Sequence, residues 1–185
     1  MRISLSELNC LDQAAFVERL GHVYEHSPWV AERAWQECPF DSVPALWAAM
    51  QRTVEDANRD EQLALIRAHP ELAGKLAIAG KLTDASRTEQ SSAGLDRCTP
   101  EEFAQFQALN AAYRRKFDFP FIVAVRGLGR SEILARLAER VGNTPAHEFS
   151  TCLQEIGRIA RFRLDDLVAD HNVSSMDRSE THDGP

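Results

Sequence analysis

The chain has 185 residues, enough for one ordinary domain with a buried core and too few for two large ones. Its 28 acidic residues outnumber 21 basic ones for a formal charge of −7, and no stretch clusters lysine and arginine, which argues against nucleic acid as a partner. The longest apolar runs, such as residues 119–125, are far shorter than a bilayer span, and residues 1–12 lack the uninterrupted apolar stretch of a secretory signal, so no membrane partner and a cytoplasmic location are expected. The four cysteines, Cys10, Cys38, Cys98 and Cys152, contain no Cys-x-x-Cys pair and read as reduced thiols rather than a zinc or redox motif.

Helical periodicity dominates, and no stretch alternates apolar and polar residues between hairpin turns. A first helix is predicted over about residues 11–23, with Phe16, Val17 and Leu20 on one side. Ser27-Pro28 opens a second through Trp29, Val30 and Trp35, which Pro39 stops. Ser42 and Pro44 begin a third, carrying Leu46, Trp47 and Met50; a fourth starts near Arg59, packs Leu63, Leu65 and Ile66, and meets His69-Pro70. Because a proline disfavours helical geometry in the residue before it, His69 is expected at the helix end, its ring presented at a corner.

Residues 71–83, with Gly74 and Gly80, read as a long connection broken by at most a short helix; such connections often carry function. A short helix over about residues 86–93 ends at Gly94. Thr99-Pro100-Glu101-Glu102 combines an N-cap, an N1 proline and the glutamate of a capping box, and starts a helix reaching Arg115 or Lys116. Residues 117–125 have some strand character, but Pro120 and their isolation favour an extended connector. Another helix spans residues 131–141, and Thr144-Pro145 caps the last and longest, running to about Val168. The expectation is an all-α fold: a single compact domain of about eight helices over residues 1–170, followed by a disordered polar tail over 171–185.

Several residues invite chemical readings. His22-Val23-Tyr24-Glu25-His26 matches the His-x-x-Glu-His pattern of inverted zinc peptidases, so a zinc-dependent hydrolase using His22 and His26 is one alternative. Ser27-Pro28 weakens it by ending the helix that such a pair needs. A non-catalytic helical interaction module is another alternative, and it predicts an exposed apolar groove without polar groups converging on His69. Gly80-Lys81 lacks the spacing and hydroxyl of a phosphate-binding loop, and Arg126-Gly127-Leu128-Gly129-Arg130 fits a turn between helices as well as an anion cradle.

His69 can donate or accept a proton near neutral pH, with a purely structural histidine as the competing reading. Glu89-Gln90, on the short helix after the long connection, offer a carboxylate to orient an imidazole and an amide to recognise a polar heterocycle, against a solvated helix face. On the last helix, a projection at about 100° per residue aligns Phe149, Leu153, Ile156, Ala160, Leu164 and Leu167, with Arg163 inside that stripe. A core-facing guanidinium needs a carboxylate, either a structural one or that of an anionic substrate, and the sequence leaves the two open.

Three segments carry a resemblance: His69-Pro70-Glu71-Leu72-Ala73-Gly74-Lys75; Ser86 with Glu89-Gln90-Ser91 and Ala93-Gly94; and Phe119-Pro120-Phe121-Ile122 with Ala124 and Arg126. On these motifs, and over roughly residues 5–170, the chain resembles the cofactor-independent decarboxylases that act on 2-oxo-4-hydroxy-4-carboxy-5-ureidoimidazoline (OHCU), the last enzymes between urate and (S)-allantoin. The resemblance implies an all-helical fold, commonly a homodimer, a small-molecule substrate, no cofactor and no metal. It implies His69 and Glu89 as the catalytic residues. Substrate contacts are implied at Pro70, Ser86, Arg87, Thr88, Glu89, Gln90, Phe121, Ile122, Val123, Ala124, Val125 and Arg163, with Arg87 and Thr88 falling where the family varies. Loss of CO2 from the family's substrate leaves an electron pair that the ring itself can accept, which fits the lack of cofactor motifs in this sequence.

Overall fold

Most helices among the described residues start where a side chain satisfies first-turn amides that have no partner within the helix. The structure is a computed structural model and describes residues 2–72 and 83–170. Ser4 and Glu7 form a capping box that starts α1 (Leu5–Asn9), and Asp12 accepts the Ala15 amide to start α2 (Gln13–Leu20). A turn leads to α3 (Trp29–Ala34), which tightens into a 3-10 turn at Trp35–Glu37. Ser42 caps α4 (Val43–Glu55), and Asn58 with Glu61 boxes the start of α5 (Arg59–Ala68). Thr83 caps α6 (Asp84–Ser92), and Gly94, at φ 72°, turns the chain away in a conformation that a side chain would oppose. Thr99 and Glu102 box α7 (Pro100–Phe117); α8 (Arg130–Arg140) follows, and Thr144 caps α9 (Pro145–Leu167).

The all-α expectation holds, and the helix after Thr99, the helix from Arg130 and the long last helix lie within a residue or two of their predicted spans. Two details differ. The first predicted helix is shorter, because Asp12 caps it late and the chain turns at Gly21, while a separate five-residue helix, α1, precedes it. A single helical turn shows too little periodicity to be read from sequence. The ends of the domain are also joined by a two-residue parallel ladder, β1 (Ile3–Ser4) with β2 (Val168–Ala169), too short to display any alternation. The expected tail and most of the connection after Glu71, including Gly74, Gly80 and Lys81, lie outside the described residues.

α9 runs through the interior and packs against α4, α5 and α7. Of the stripe expected from its periodicity, Phe149, Ile156, Ala160, Arg163 and Leu164 are buried, whereas Leu153 and Leu167 are half-buried and Cys152 is a further buried residue. The Trp47 indole of α4 donates to the Gly157 carbonyl at 2.8 Å, which fixes the two helices side by side. Between α7 and α8, residues 119–125 cross the interior in extended form, as expected. Polar groups from two helices hold them: Arg140 Nη1 donates to the Ile122 carbonyl at 2.7 Å, and the Ala124 amide donates to Glu155 Oε2 at 2.8 Å. A buried connector needs such partners because no ladder serves its backbone.

Candidate active site

Pro70 forces His69 out of the α5 geometry, with φ −75° and ψ 138°, so the helix stops and the imidazole turns inward. It lines a small cavity together with Pro70 and Leu72, with Ser86, Glu89 and Gln90 of α6, with Phe121, Ile122, Val123 and Val125 of the connector, and with Ile159 and Arg163 of α9. The free space between these described residues is about 30 Å³, room for one or two water molecules.

The protonation of His69 follows from its surroundings. Nδ1 lies 2.9 Å from the Leu65 carbonyl oxygen, which can only accept, so Nδ1 carries the hydrogen and Nε2 the lone pair. Burial drives the imidazole pKa from its ordinary value down to about 4; the Leu65 hydrogen bond and the charge of Glu25 oppose this, and the positive charge of Arg163 adds to it. His69 is therefore a neutral base at neutral pH.

Arg163 supplies the cation. Its Nε and Nη2 grip Glu89 at 2.8 and 2.9 Å, and its Nη1 reaches Glu25 Oε2 at 3.0 Å and the Val23 carbonyl at 3.2 Å. Burial opposes its charge, but hydrogen bonds and charge from Glu89 and then Glu25 outweigh it, so its pKa lies above the ordinary arginine value. Glu25 is a residue the sequence reading did not place here. It also accepts the Thr83 hydroxyl at 2.7 Å and the Ser86 hydroxyl at 3.0 Å. Burial pushes its pKa up, but the Thr83 bond and then the charge and hydrogen bond of Arg163 pull it below the usual carboxylate value.

His69, Pro70, Ser86, Glu89, Gln90, Phe121, Ile122, Val123, Val125 and Arg163 thus share one cavity wall, and three expected residues stand elsewhere. Arg87 and Thr88 lie on the exposed face of α6; Arg87 is 3.5 Å from Asp84, and Thr88 Oγ1 donates to the Asp84 carbonyl one turn back. A helix spaces its faces by about 100° per residue, so consecutive residues of α6 cannot all face inward. Ala124 is buried outside the cavity wall, and its amide donates to Glu155. The expectation that Glu89 orients the imidazole is also revised: Glu89 is held by Arg163, and the Leu65 carbonyl holds the ring. Leu72 and Ile159 are additional wall residues.

The zinc reading fails on geometry. His22 and His26 sit in the turn between α2 and α3 rather than on a helix, and the side chain of His26 is 68% exposed with φ 47°. The intervening carboxylate, Glu25, is engaged by Arg163, Thr83 and Ser86. Among the described residues no three histidine, cysteine, aspartate or glutamate side chains are placed to hold a metal ion. The interaction-module reading fails because Ser86, Glu89 and Arg163 converge on the cavity that His69 lines. No helix among the described residues is long and apolar enough to cross a membrane.

Comparison with known proteins shows what the chain as a whole is similar to. The family model for OHCU decarboxylase matches residues 9–165. The chain is 45% identical over 167 residues to a 2-oxo-4-hydroxy-4-carboxy-5-ureidoimidazoline decarboxylase from Halalkalicoccus jeotgali, covering 90% of this chain and 93% of that protein. It is 46% identical over 162 residues to the protein of the same name from Haloferax volcanii, covering 88% and 94%. Among solved structures, an (S)-allantoin synthase superposes with a TM-score of 0.71 at 33% identity, over 89% of this chain and 54% of the other, about half its length. With a family model spanning most of the fold and relatives matched over nearly their full length, the chain belongs to the OHCU decarboxylase family.

Proposed function

We propose that this protein decarboxylates OHCU to (S)-allantoin in urate degradation, with His69 moving the proton and Arg163 holding the anionic substrate. The observation that carries this reading is a neutral imidazole, anchored through Nδ1, in the same small cavity as a guanidinium, a serine hydroxyl and the Gln90 side chain. The C–CO2 bond breaks, CO2 leaves, and its electron pair enters the unsaturated ring. Nε2 of His69 takes the proton of the substrate hydroxyl and returns it to one face of the adjoining ring carbon, which sets the S configuration. One further proton, from water, balances the loss of CO2 from a carboxylate.

Burial serves this step in two ways. A pKa of about 4 leaves Nε2 free to accept a proton at neutral pH, and the dry wall of Phe121, Ile122, Val123 and Val125 strengthens each charge interaction within. Ser86 and Gln90 are assigned to the polar edge of the heterocycle, and Pro70 with the connector to its flat faces. The homodimer and the cytoplasmic location belong to the same proposal; sedimentation of the purified protein tests the first and fractionation of the source cell the second.

The function is tested by making the unstable intermediate from urate enzymatically and following the chirality of the allantoin by circular dichroism. Protein-dependent excess of the S enantiomer is expected. Racemic allantoin at the spontaneous rate would refute the assignment.

A further inference from the structure

Arg163 carries five N–H donors, and protein acceptors take all of them. Nε and one Nη2 hydrogen go to Glu89, the other Nη2 hydrogen faces Ser86 Oγ at 3.4 Å, and Nη1 serves Glu25 and the carbonyls of Val23 and His22. An incoming anion cannot add to this guanidinium; it can only exchange with an acceptor already there.

The two carboxylates are not equivalent candidates for exchange. Glu25 is 2% exposed and fixed by three donors from two parts of the chain: Thr83 and Ser86 at the start of α6, and Arg163 on α9. Its release would strand a charge in the interior. Glu89 is 25% exposed, borders the cavity, and occupies the fork of Nε and Nη2, the geometry that a free carboxylate prefers. Departure of Glu89 from the fork would vacate two parallel donors at the edge of the cavity.

We propose that Glu25 is a positioning residue of the reaction: it is the permanent counter-ion that keeps Arg163 and Ser86 aimed at the cavity, so that the carboxylate of the substrate can take the place of Glu89. Glu25 takes the Nη1 side of the guanidinium and the Ser86 hydroxyl, which leaves Nε and Nη2 directed at the cavity edge; without it both Arg163 and Ser86 lose their fixed direction. The inference rests on the decarboxylase reading only for the identity of the substrate; the exchange itself concerns any heterocyclic carboxylate.

The test compares wild type, Glu25→Gln, Glu25→Asp and Glu89→Gln. Calorimetry measures affinity for oxonate, a ring bearing a carboxylate, and kcat and KM are measured for OHCU. Glu25→Gln is expected to weaken oxonate and raise KM by about tenfold or more, and Glu25→Asp, which keeps the charge, to restore most of this. Glu89→Gln is expected to act in the opposite sense, tightening oxonate about threefold or more while kcat falls. A purely structural role predicts that both glutamine variants weaken binding together. That result, or unchanged oxonate affinity in Glu25→Gln, overturns the proposal. If Glu25→Gln does not fold, Glu89→Gln decides alone: failure to tighten oxonate overturns it. If wild type makes no (S)-allantoin, the decarboxylase reading falls, and the oxonate series still judges the exchange.

Discussion

Two buried arginines divide the molecule between them. Arg140 of α8 gives Nε at 2.8 Å and Nη2 at 2.5 Å to Glu148 of α9, and its Nη1 to the Ile122 carbonyl. Glu148 is 0% exposed and also takes the Tyr113 hydroxyl at 2.5 Å and the Asn143 amide at 2.7 Å. One cation meets one anion, neither Arg140 nor Glu148 lines the site cavity, and the result is a bolt that holds the connector, and with it the wall residue Ile122, in place. Arg163 meets two carboxylates, one enclosed and one at the edge of a cavity beside a neutral imidazole. The surplus negative charge and the partly exposed partner are what separate a site from a bolt, since only an interaction with an exchangeable member can admit a ligand.

The sharpest way to break this comparison is through His69. His69→Asn keeps a donor for the Leu65 carbonyl but removes the basic nitrogen, and kcat is expected to fall by about 10²–10⁴ with the far-ultraviolet circular dichroism unchanged. Unaltered turnover would exclude His69 as the proton carrier. Next in size, Glu148→Ala strands Arg140 in the interior and is expected to cost about 3–5 kcal/mol in urea unfolding, whereas Glu89→Ala leaves Arg163 with Glu25 and should cost less than half as much. Equal costs would erase the distinction between bolt and site.

A third effect lies in pH. The folded His69 pKa, about 4, sits below the ordinary imidazole value, so between pH 6.5 and 4 the unfolded chain takes up a proton that the folded chain refuses. Stability should fall as pH drops through that window, by up to about 3 kcal/mol from this residue, and His69→Asn should flatten that part of the profile. The smallest effect belongs to the surface. Arg52 and Glu37 pair with about half of each side chain in solvent, and Arg52→Ala is expected to change stability by less than about 1 kcal/mol and by less still in high salt.

Much of the fold was legible because helix starts are local events. Thr99 with Glu102 and Asn58 with Glu61 specify their helix ends within four residues, and Thr144-Pro145 does the same for α9. α1 and the Ile3–Val168 ladder were not legible, the first for want of a second turn and the second because its strands are far apart in sequence. In the site, Pro70 placed His69 at a helix end and the apolar stripe of α9 placed Arg163 inward, both readable from neighbours one or two turns away. The His-x-x-Glu-His pattern drew attention to Glu25 for a chemistry it does not perform, and no local signal linked it to an arginine 138 residues later.

The amino-acid order by itself determined most of the helical segments, that an imidazole closes α5 and that a guanidinium lies on the buried face of α9. These are consequences of backbone sterics and hydrophobic period, which act over a few residues. Tertiary structure alone decided the distant partners: that Glu89 meets Arg163, that Arg163 divides its donors between Glu25 and Glu89, and that the interior depresses the basicity of His69. Charge pairing and desolvation depend on distance in space, and the folded chain sets that distance by packing helices whose sequences are remote from one another.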